Sequence, residues 1–414
     1  MKFLLNNAGS HGDILPLIAI GKGLQARGHE VKLWLHELFV TPARAAGLDA
    51  QAVGDSQTAE ALFHHPDMQH ERKAHPILAQ AFAQFARDSL PPLQAELARG
   101  PAVLIGGPMA LAPLLLGEIT GSPAVVLHFA PILLRSRWAV PRFAAIQPPV
   151  PAWFTPLLWW GIDRWVMDPV YGAPFNGLRT ELGLPTRRPL SNYLATQNDL
   201  ALGLFPPWYA PPQLDWPKQT CLSHFPLEDL GAQHGLPPKL EEFLQAGAAP
   251  IGFTPGTFTG ISKSFFASSI QATQALGARA ILLTRFADQI PQPLPATILH
   301  VDYAPFSSLL PRLAAFVHHG GIGTTSQALR AGVPQLIRPL MGDQFDNAQR
   351  ARRLGVAAEL RPWRYRSGAV ARKLHDLTQS TQVKQACAEI AQSFVHVNGV
   401  ELACDLILKK FATS

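Results

Sequence analysis

Short apolar runs alternate along the chain with stretches whose apolar residues recur every three to four positions. Lys2 to Asn6 reads as a strand, NAGSHGDILP as a loop, and Leu17 to Arg27 as a helix stopped at Gly28. Val31 to Leu35 predicts the next strand, which makes a β-loop-α-β start. The rhythm continues with a strand over 102–107, a helix from Ala110 to Thr120 and a strand over 124–128. A second series opens near Pro250. It has a strand and loop over 251–257, a helix from Phe265 to Leu276 and a strand over 278–284. A strand and loop over 314–325 follow, then a helix ending at Ala331 before Gly332, and a strand over 334–340.

The pattern predicts an α/β fold of two Rossmann-like domains. An N-terminal domain spans 1–215, a linker 216–245, and a C-terminal domain 246–385, with a helical tail over 386–414 that reads as helix from Val383 to Lys410. Between the two series, FPPWYAPPQLDWP (205–217) is an extended connection, because consecutive prolines exclude regular helix and central strand. Residues 138–165 are rich in tryptophan and proline. They read either as helices and loops of an irregular core or as an apolar acceptor pocket or membrane-surface contact.

Composition narrows the classes. The chain has 414 residues, 47% hydrophobic and 15% charged, enough for two cores and unlike a disordered chain. The net charge of +6, from 35 basic and 29 acidic residues, is spread along the chain, so it favours anionic ligands or surfaces rather than nucleic acid. Three cysteines, Cys221, Cys387 and Cys404, form no CxxC pair and point to a reducing, cytoplasmic setting. The N-terminus lacks the long apolar stretch of a signal peptide, and no charge-free run is long enough to span a bilayer.

The candidate chemistry sits in VHHGGIGTTSQ (317–327). A strand ending near Val317 and a helix starting near Thr324 bracket His318, His319, Gly320, Gly321 and Gly323. Glycines allow close backbone approach, the helix start presents unpaired N–H groups, and Thr324 and Thr325 add hydroxyls; together they make an anion site. Either histidine could donate to a phosphate oxygen. About twenty positions on, Asp343 and Gln344 follow a strand, where ligands of parallel sheets bind. A carboxylate beside an amide suits sugar hydroxyls.

HHGGIGTTSQALRAGVPQLIRPLMGDQFDNAQRARRLG (318–355) resembles the donor-binding signature of nucleotide-sugar glycosyltransferases of the GT-B type, with two Rossmann-like domains facing a central cleft. GSHGDILPLIAIGKGLQARGHEV (9–31) resembles the family's opening segment. Within the family, LFPPWYAPPQLDWP, HFPLED and YAPFSSLLP are similar to segments of the rhamnolipid-type rhamnosyltransferase. The resemblance implies that His319, Gly323 and Thr324 hold the donor diphosphate and that Asp343 and Gln344 hold its sugar. Gly256 and Thr257 would form a second phosphate-facing loop, and Tyr303 would stack on the base. Gln327 stands where many relatives carry a ribose-binding glutamate.

The resemblance also implies an acceptor-binding N-terminal domain, a tail that crosses back to it, and a base that deprotonates the acceptor hydroxyl. His11 and Asp13 are the two candidates. Relatives that use a histidine hold it with an aspartate just after the strand that here ends in Gly106 and Gly107. Asp13 is then either the base or the residue that orients His11. The expected reaction is an inverting transfer of L-rhamnose from dTDP-L-rhamnose to a 3-hydroxyacyl lipid, with glucosylation of a sterol, carotenoid or polyketide from UDP-glucose as the alternative. A non-catalytic sugar-nucleotide or lipid-binding partner is the reading from another class. No DxD pair occurs, and the cluster of His64, His65, His70 and His75 is irregularly spaced, so no metal or other cofactor is expected.

Overall fold

The computed structural model describes residues 1–54, 65, 67, 71–144, 147, 150–229, 235–256 and 262–411. Thr257, His64 and His70 lie outside them. The chain divides into two compact units. One holds 1–141, 148–226 and 398–414; the other holds 142–147 and 227–397.

The first unit runs β1 (Lys2–Asn7), α1 (His11–Ala26), β2 (Glu30–His36), α2 (Glu37–Ala45), β3 (Asp49–Val53), α3 (Glu71–Ala98), β4 (Val103–Gly106), α4 (Leu111–Thr120) and β5 (Ala124–His128). Then come α5 (Thr155–Ile162), which continues as a π-helical stretch to Gly172, α6 (Ala173–Glu181), α7 (Leu190–Thr196), β6 (Leu200–Gly203) and β7 (Thr220–Leu222). The seven strands are parallel in the order β3-β2-β1-β4-β5-β6-β7. The winding reverses between β1 and β4, so the loops after these two strands flank the crevice where such sheets bind ligands.

The second unit runs α8 (Pro238–Gln245), β8 (Ile251–Phe253), α9 (Lys263–Ala275), β9 (Ala280–Leu283), β10 (Ile298–Val301), α10 (Phe306–Leu309), β11 (Ala315–His318), α11 (Ile322–Ala331) and β12 (Gln335–Ile337). It ends with α12 (Gln344–Arg353), β13 (Ala357–Glu359), α13 (Ser367–Gln379) and α14 (Thr381–Gln392). Its parallel sheet has the order β10-β9-β8-β11-β12-β13, with the reversal between β8 and β11. Alternate residues face two cores. Phe253, Leu282, Val317 and Leu336 pack against Phe265 and Leu374 on one side. Ile281, Leu283 and Phe316 pack against Leu309 and Ala328 on the other. Burial on both faces explains why the strands read as near-continuous apolar runs.

Three boundaries differ from the sequence reading. Helix α1 starts at His11, six residues before Leu17, because Ser10 and Asp13 form a reciprocal capping box that outranks the Pro16 inside the helix. The expected linker 216–245 holds β7 in the first unit and α8 in the second. The expected single tail helix breaks between Gln392 and Gly399. After the break comes α15 (Gly399–Phe411), where Asn398 Oδ1 accepts from the N–H groups of Val400 and Glu401.

Helix α15 belongs to the first unit, and its Cys404 Sγ lies 3.6 Å from the Ile20 carbonyl of α1. The close approach needs Gly399: a Cβ there would lie 2.3 Å from the Phe225 carbonyl oxygen, which is backbone and cannot turn away. Gly399→Ala is expected to lower stability by about 1–3 kcal/mol through overpacking. Gly177→Ala, in an exposed turn of α6 with nothing within 4 Å of the new methyl, is expected to stabilise by up to about 1 kcal/mol. Urea unfolding of both variants checks the pair; equal midpoints would refute the packing assignment.

Candidate functional site

The glycine loop of the second unit joins β11 to α11. His318, the last strand residue, is fully buried. Its Nδ1 accepts from the Gly320 N–H at 3.1 Å, so the ring proton sits on Nε2 and donates to Gln335 Oε1 at 3.0 Å. Burial holds its pKa down at about 3, with the neighbouring His319 adding to the effect. Both nitrogens are committed, so His318 is corrected from a phosphate contact to the neutral brace of the turn.

His319 lies on the other side of the chain, between two glycines. A Cβ on Gly256 would come within 2.7 Å of its Nδ1, and one on Gly321 within 2.5 Å of its Nε2. Gly256 also has φ +96°, so both its conformation and its lack of a side chain serve this contact. Burial lowers His319 to about 4, so near pH 7 it offers one N–H and no charge. Gly320, at φ +92°, lets the loop press against Ile337 and the Gln344 backbone.

Gly321 precedes α11 and no side chain caps the helix. The amides of Gly323 and Thr324 in the first turn have no intrahelical acceptor and mark the anion-binding end. Thr325 is corrected. It is fully buried, its N–H goes to the Gly321 carbonyl at 2.9 Å, and its hydroxyl faces the interior.

Asp343 stands just before α12. Asn347, one turn on and fully buried, donates one amide hydrogen to Asp343 Oδ2 at 2.8 Å and the other to the Gly320 carbonyl at 2.9 Å. This residue couples the glycine loop to the carboxylate. Sequence reasoning missed it, although its i,i+4 spacing from Asp343 was the available signal. Gln344 Oε1 accepts from Leu340 N–H at 2.8 Å and Met341 N–H at 3.3 Å. Its NH2 therefore makes neither of these two bonds.

Tyr303 is 54% exposed and bonded to the Asp229 carboxylate, which also accepts from Ser307 N–H at 2.6 Å. Burial and this carboxylate push the phenol up to about 12, so it stays a neutral ring. Asp229, the last residue of HFPLED, anchors the aromatic. Gln327 is buried and donates to the Glu228 carbonyl at 3.3 Å. Its amide braces this same segment, a use the ribose reading did not anticipate.

In the first unit, His11 opens α1 with its ring edge-on to Phe39, centroids 5.0 Å apart. Asp13 Oδ2 accepts from Ser10 N–H at 2.8 Å and Ser10 Oγ at 3.0 Å. Burial raises its pKa, opposed by these two bonds. Residues two apart in a helix do not share a face, which disfavours Asp13 as the group that orients His11. At Gly107 a Cβ would lie 2.7 Å from Asn7 Oδ1 and 2.8 Å from the Phe129 ring, so an aspartate has no room there. Among the described residues no three metal-ligating side chains cluster.

A family profile described as "Erythromycin biosynthesis protein CIII-like, C-terminal domain" matches residues 276–402. The O-mycaminosyltylonolide 6-deoxyallosyltransferase of Streptomyces fradiae is 30% identical over 98% of this chain and 97% of its own length. The chain is a GT-B glycosyltransferase of the EryCIII-like superfamily. A sterol 3-beta-glucosyltransferase of Leptosphaeria maculans is 26% identical over 97% of this chain, which spans 28% of that protein. The solved spinosyn rhamnosyltransferase SpnG complexed with thymidine diphosphate shares the fold, with a TM-score of 0.66 at 16% identity over the whole of both chains. The glycosyltransferase thus has the expected two parallel-sheet Rossmann-like domains.

His318 gives the site a pH signature. Unfolded, its imidazole titrates near 6.5; folded, near 3. The unfolded chain therefore binds the extra proton between these values, and stability that is full above pH 6.5 is lost as pH falls towards 3. At pH 5 the loss from this one residue is about 2 kcal/mol. His318→Gln is expected to be less stable at pH 7 yet to lose about that much less between pH 7 and pH 5. Equal losses in both proteins, read from urea midpoints, would refute the neutral brace.

Proposed function

We propose that this glycosyltransferase transfers L-rhamnose from dTDP-L-rhamnose to a hydroxyl of a 3-(3-hydroxyalkanoyloxy)alkanoate lipid, with inversion and without a metal. The observation that carries the donor half is the uncapped start of α11, joined through Asn347 to the sugar-facing Asp343. First-turn amides take the diphosphate, Asp343 and Gln344 take the sugar hydroxyls, and Tyr303 takes the base. The name of the Streptomyces fradiae relative supports a deoxyhexose, and the SpnG complex motivates the thymidine nucleotide.

For the acceptor half, the first unit exposes Trp138, Trp153, Leu157, Trp160 and Trp165, with Trp153 81% accessible. A surface this apolar fits a lipid chain or the peripheral membrane surface that delivers it. No helix of the described residues is long and apolar enough to cross a membrane.

The reaction is a single displacement. The acceptor oxygen forms its bond to the anomeric carbon from the face opposite the nucleotide. The bond from that carbon to the diphosphate oxygen breaks, its electrons leave with the nucleoside diphosphate, and the hydroxyl proton passes to the base. We assign the base to His11, because the Asp13 carboxylate is engaged in starting α1.

The matching sterol glucosyltransferase favours a second reading, glucose transfer from UDP-glucose to a sterol. Assays pairing dTDP-L-rhamnose and UDP-glucose with each acceptor separate the two. Product from UDP-glucose alone would overturn the rhamnosyl reading.

His11→Ala is expected to lower kcat by about 10²–10⁴ while leaving donor affinity and melting temperature unchanged. Asp13→Asn is expected to cost about 0.5–2 kcal/mol of stability with a smaller effect on kcat. The reverse pattern, kcat lost in Asp13→Asn at full stability and kept in His11→Ala, would move the base to Asp13.

A further inference from the structure

Arg338 is a part-buried arginine that the site described above does not use. Four other buried or part-buried arginines each hold a carboxylate: Arg135 with Asp163 at 2.7 Å, Arg142 with Glu359 at 2.5 Å, Arg179 with Glu118 at 2.6 Å and Arg350 with Asp346 at 2.6 Å. Arg338 has none within ion-pair distance among the described residues. Its Nε is sealed from solvent without a hydrogen-bond partner. The guanidinium lies over the rings of Tyr365 and Phe265, 5.4 and 5.8 Å from their centroids. Aromatic faces attract the cation but leave its N–H groups unmatched. Burial pushes the pKa of Arg338 down, as for a cation without a counter-charge.

Its place in the sheet says which anion would complete it. The Arg338 N–H bonds the His318 carbonyl at 2.8 Å, and His318 is in register with Ile337. The next residues along the two strands are His319 and Arg338, so they stand opposite each other where the glycine loop begins. Arg338 shares the face of Leu336, the side on which Phe265 and Tyr365 pack. The uncapped α11 begins at Ile322, four residues past His318. Both histidines here are neutral near pH 7. A leaving nucleoside diphosphate gains negative charge as the glycosidic bond breaks, and neutral N–H donors alone match it poorly.

We propose that Arg338 is the cationic contact for the diphosphate of the sugar donor, offering its terminal N–H groups to the phosphate that bears the sugar. The inference rests on the donor site assigned above. It adds a residue that the glycine loop and the Asp343–Gln344 pair do not predict. An arginine kept unpaired at a cost in stability, beside a site that must take a dianion, is what a binding role requires.

The test uses the full chain and its Arg338→Met and Arg338→Lys variants, with dTDP and UDP as diphosphates and thymidine and uridine as nucleosides. Calorimetric titration gives affinities, and melting temperature is read without ligand. Arg338→Met is expected to melt higher than the wild type, to lose at least tenfold in affinity for the preferred diphosphate, and to keep its affinity for the nucleoside. Arg338→Lys is expected to recover part of the diphosphate affinity. Wild-type diphosphate affinity in Arg338→Met overturns this inference alone. So does a lower melting temperature with equal loss of nucleoside and diphosphate, which marks a packing residue. A wild-type protein that binds neither diphosphate overturns the donor site itself, and this inference with it.

Discussion

The donor half depends on one amide group. Asn347 uses both hydrogens of its NH2, one on the Gly320 carbonyl and one on Asp343. The carbonyl belongs to the turn that aims the start of α11, and the carboxylate belongs to the loop that leads into α12. Without the bond, a buried carbonyl would be left unsatisfied and two loops from different strands would move independently. With it, the spacing of the glycine loop and the Asp343 carboxylate becomes a property of the fold. His318 does the same work one layer below, by holding Gly320 from the other side.

This bracing has a chemical consequence. Burial keeps both imidazoles of the loop neutral near pH 7, so the proposed diphosphate site draws no full charge from them. Backbone amides and the helix start supply partial charge, and partial charges are most effective where water is excluded. The remaining demand falls on whatever full charge stands at the same sheet edge. The rings of Phe265 and Tyr365 hold Arg338 there without neutralising it.

Local pattern was enough for β1, β2, β4 and β5 of one sheet and β8, β9, β11 and β12 of the other, whose residues are mostly buried; β3, β6, β7, β10 and β13 were not read from it. The loop over 317–327 and the Asp343–Gln344 pair were legible as candidates, since the residue types that suit a phosphate or a hydroxyl are few. What stayed hidden was pairing across the fold. Sequence could not separate His318 from His319, because only the β11–β12 register brings Gln335 to one of them. Thr325 looked like Thr324 until the helix turned it inward. Arg338 reads as an ordinary polar residue within the strand expected over 334–340, and the absence of a carboxylate partner among the described residues is a fact about three dimensions. The capping box at Ser10 was misread for the opposite reason: Pro16 is a strong local signal, and a reciprocal cap overrode it.

The first unit shows how a family pattern can change without leaving a gap. Where relatives place an aspartate after the fourth strand, Gly107 stands here, and the space is taken by Asn7 and Phe129. Asn7 Oδ1 accepts the Gly107 N–H at 3.2 Å, while its NH2 donates to the Asp13 carbonyl at 3.2 Å. The two loops at the sheet reversal are thus linked by a neutral amide where a carboxylate would otherwise sit.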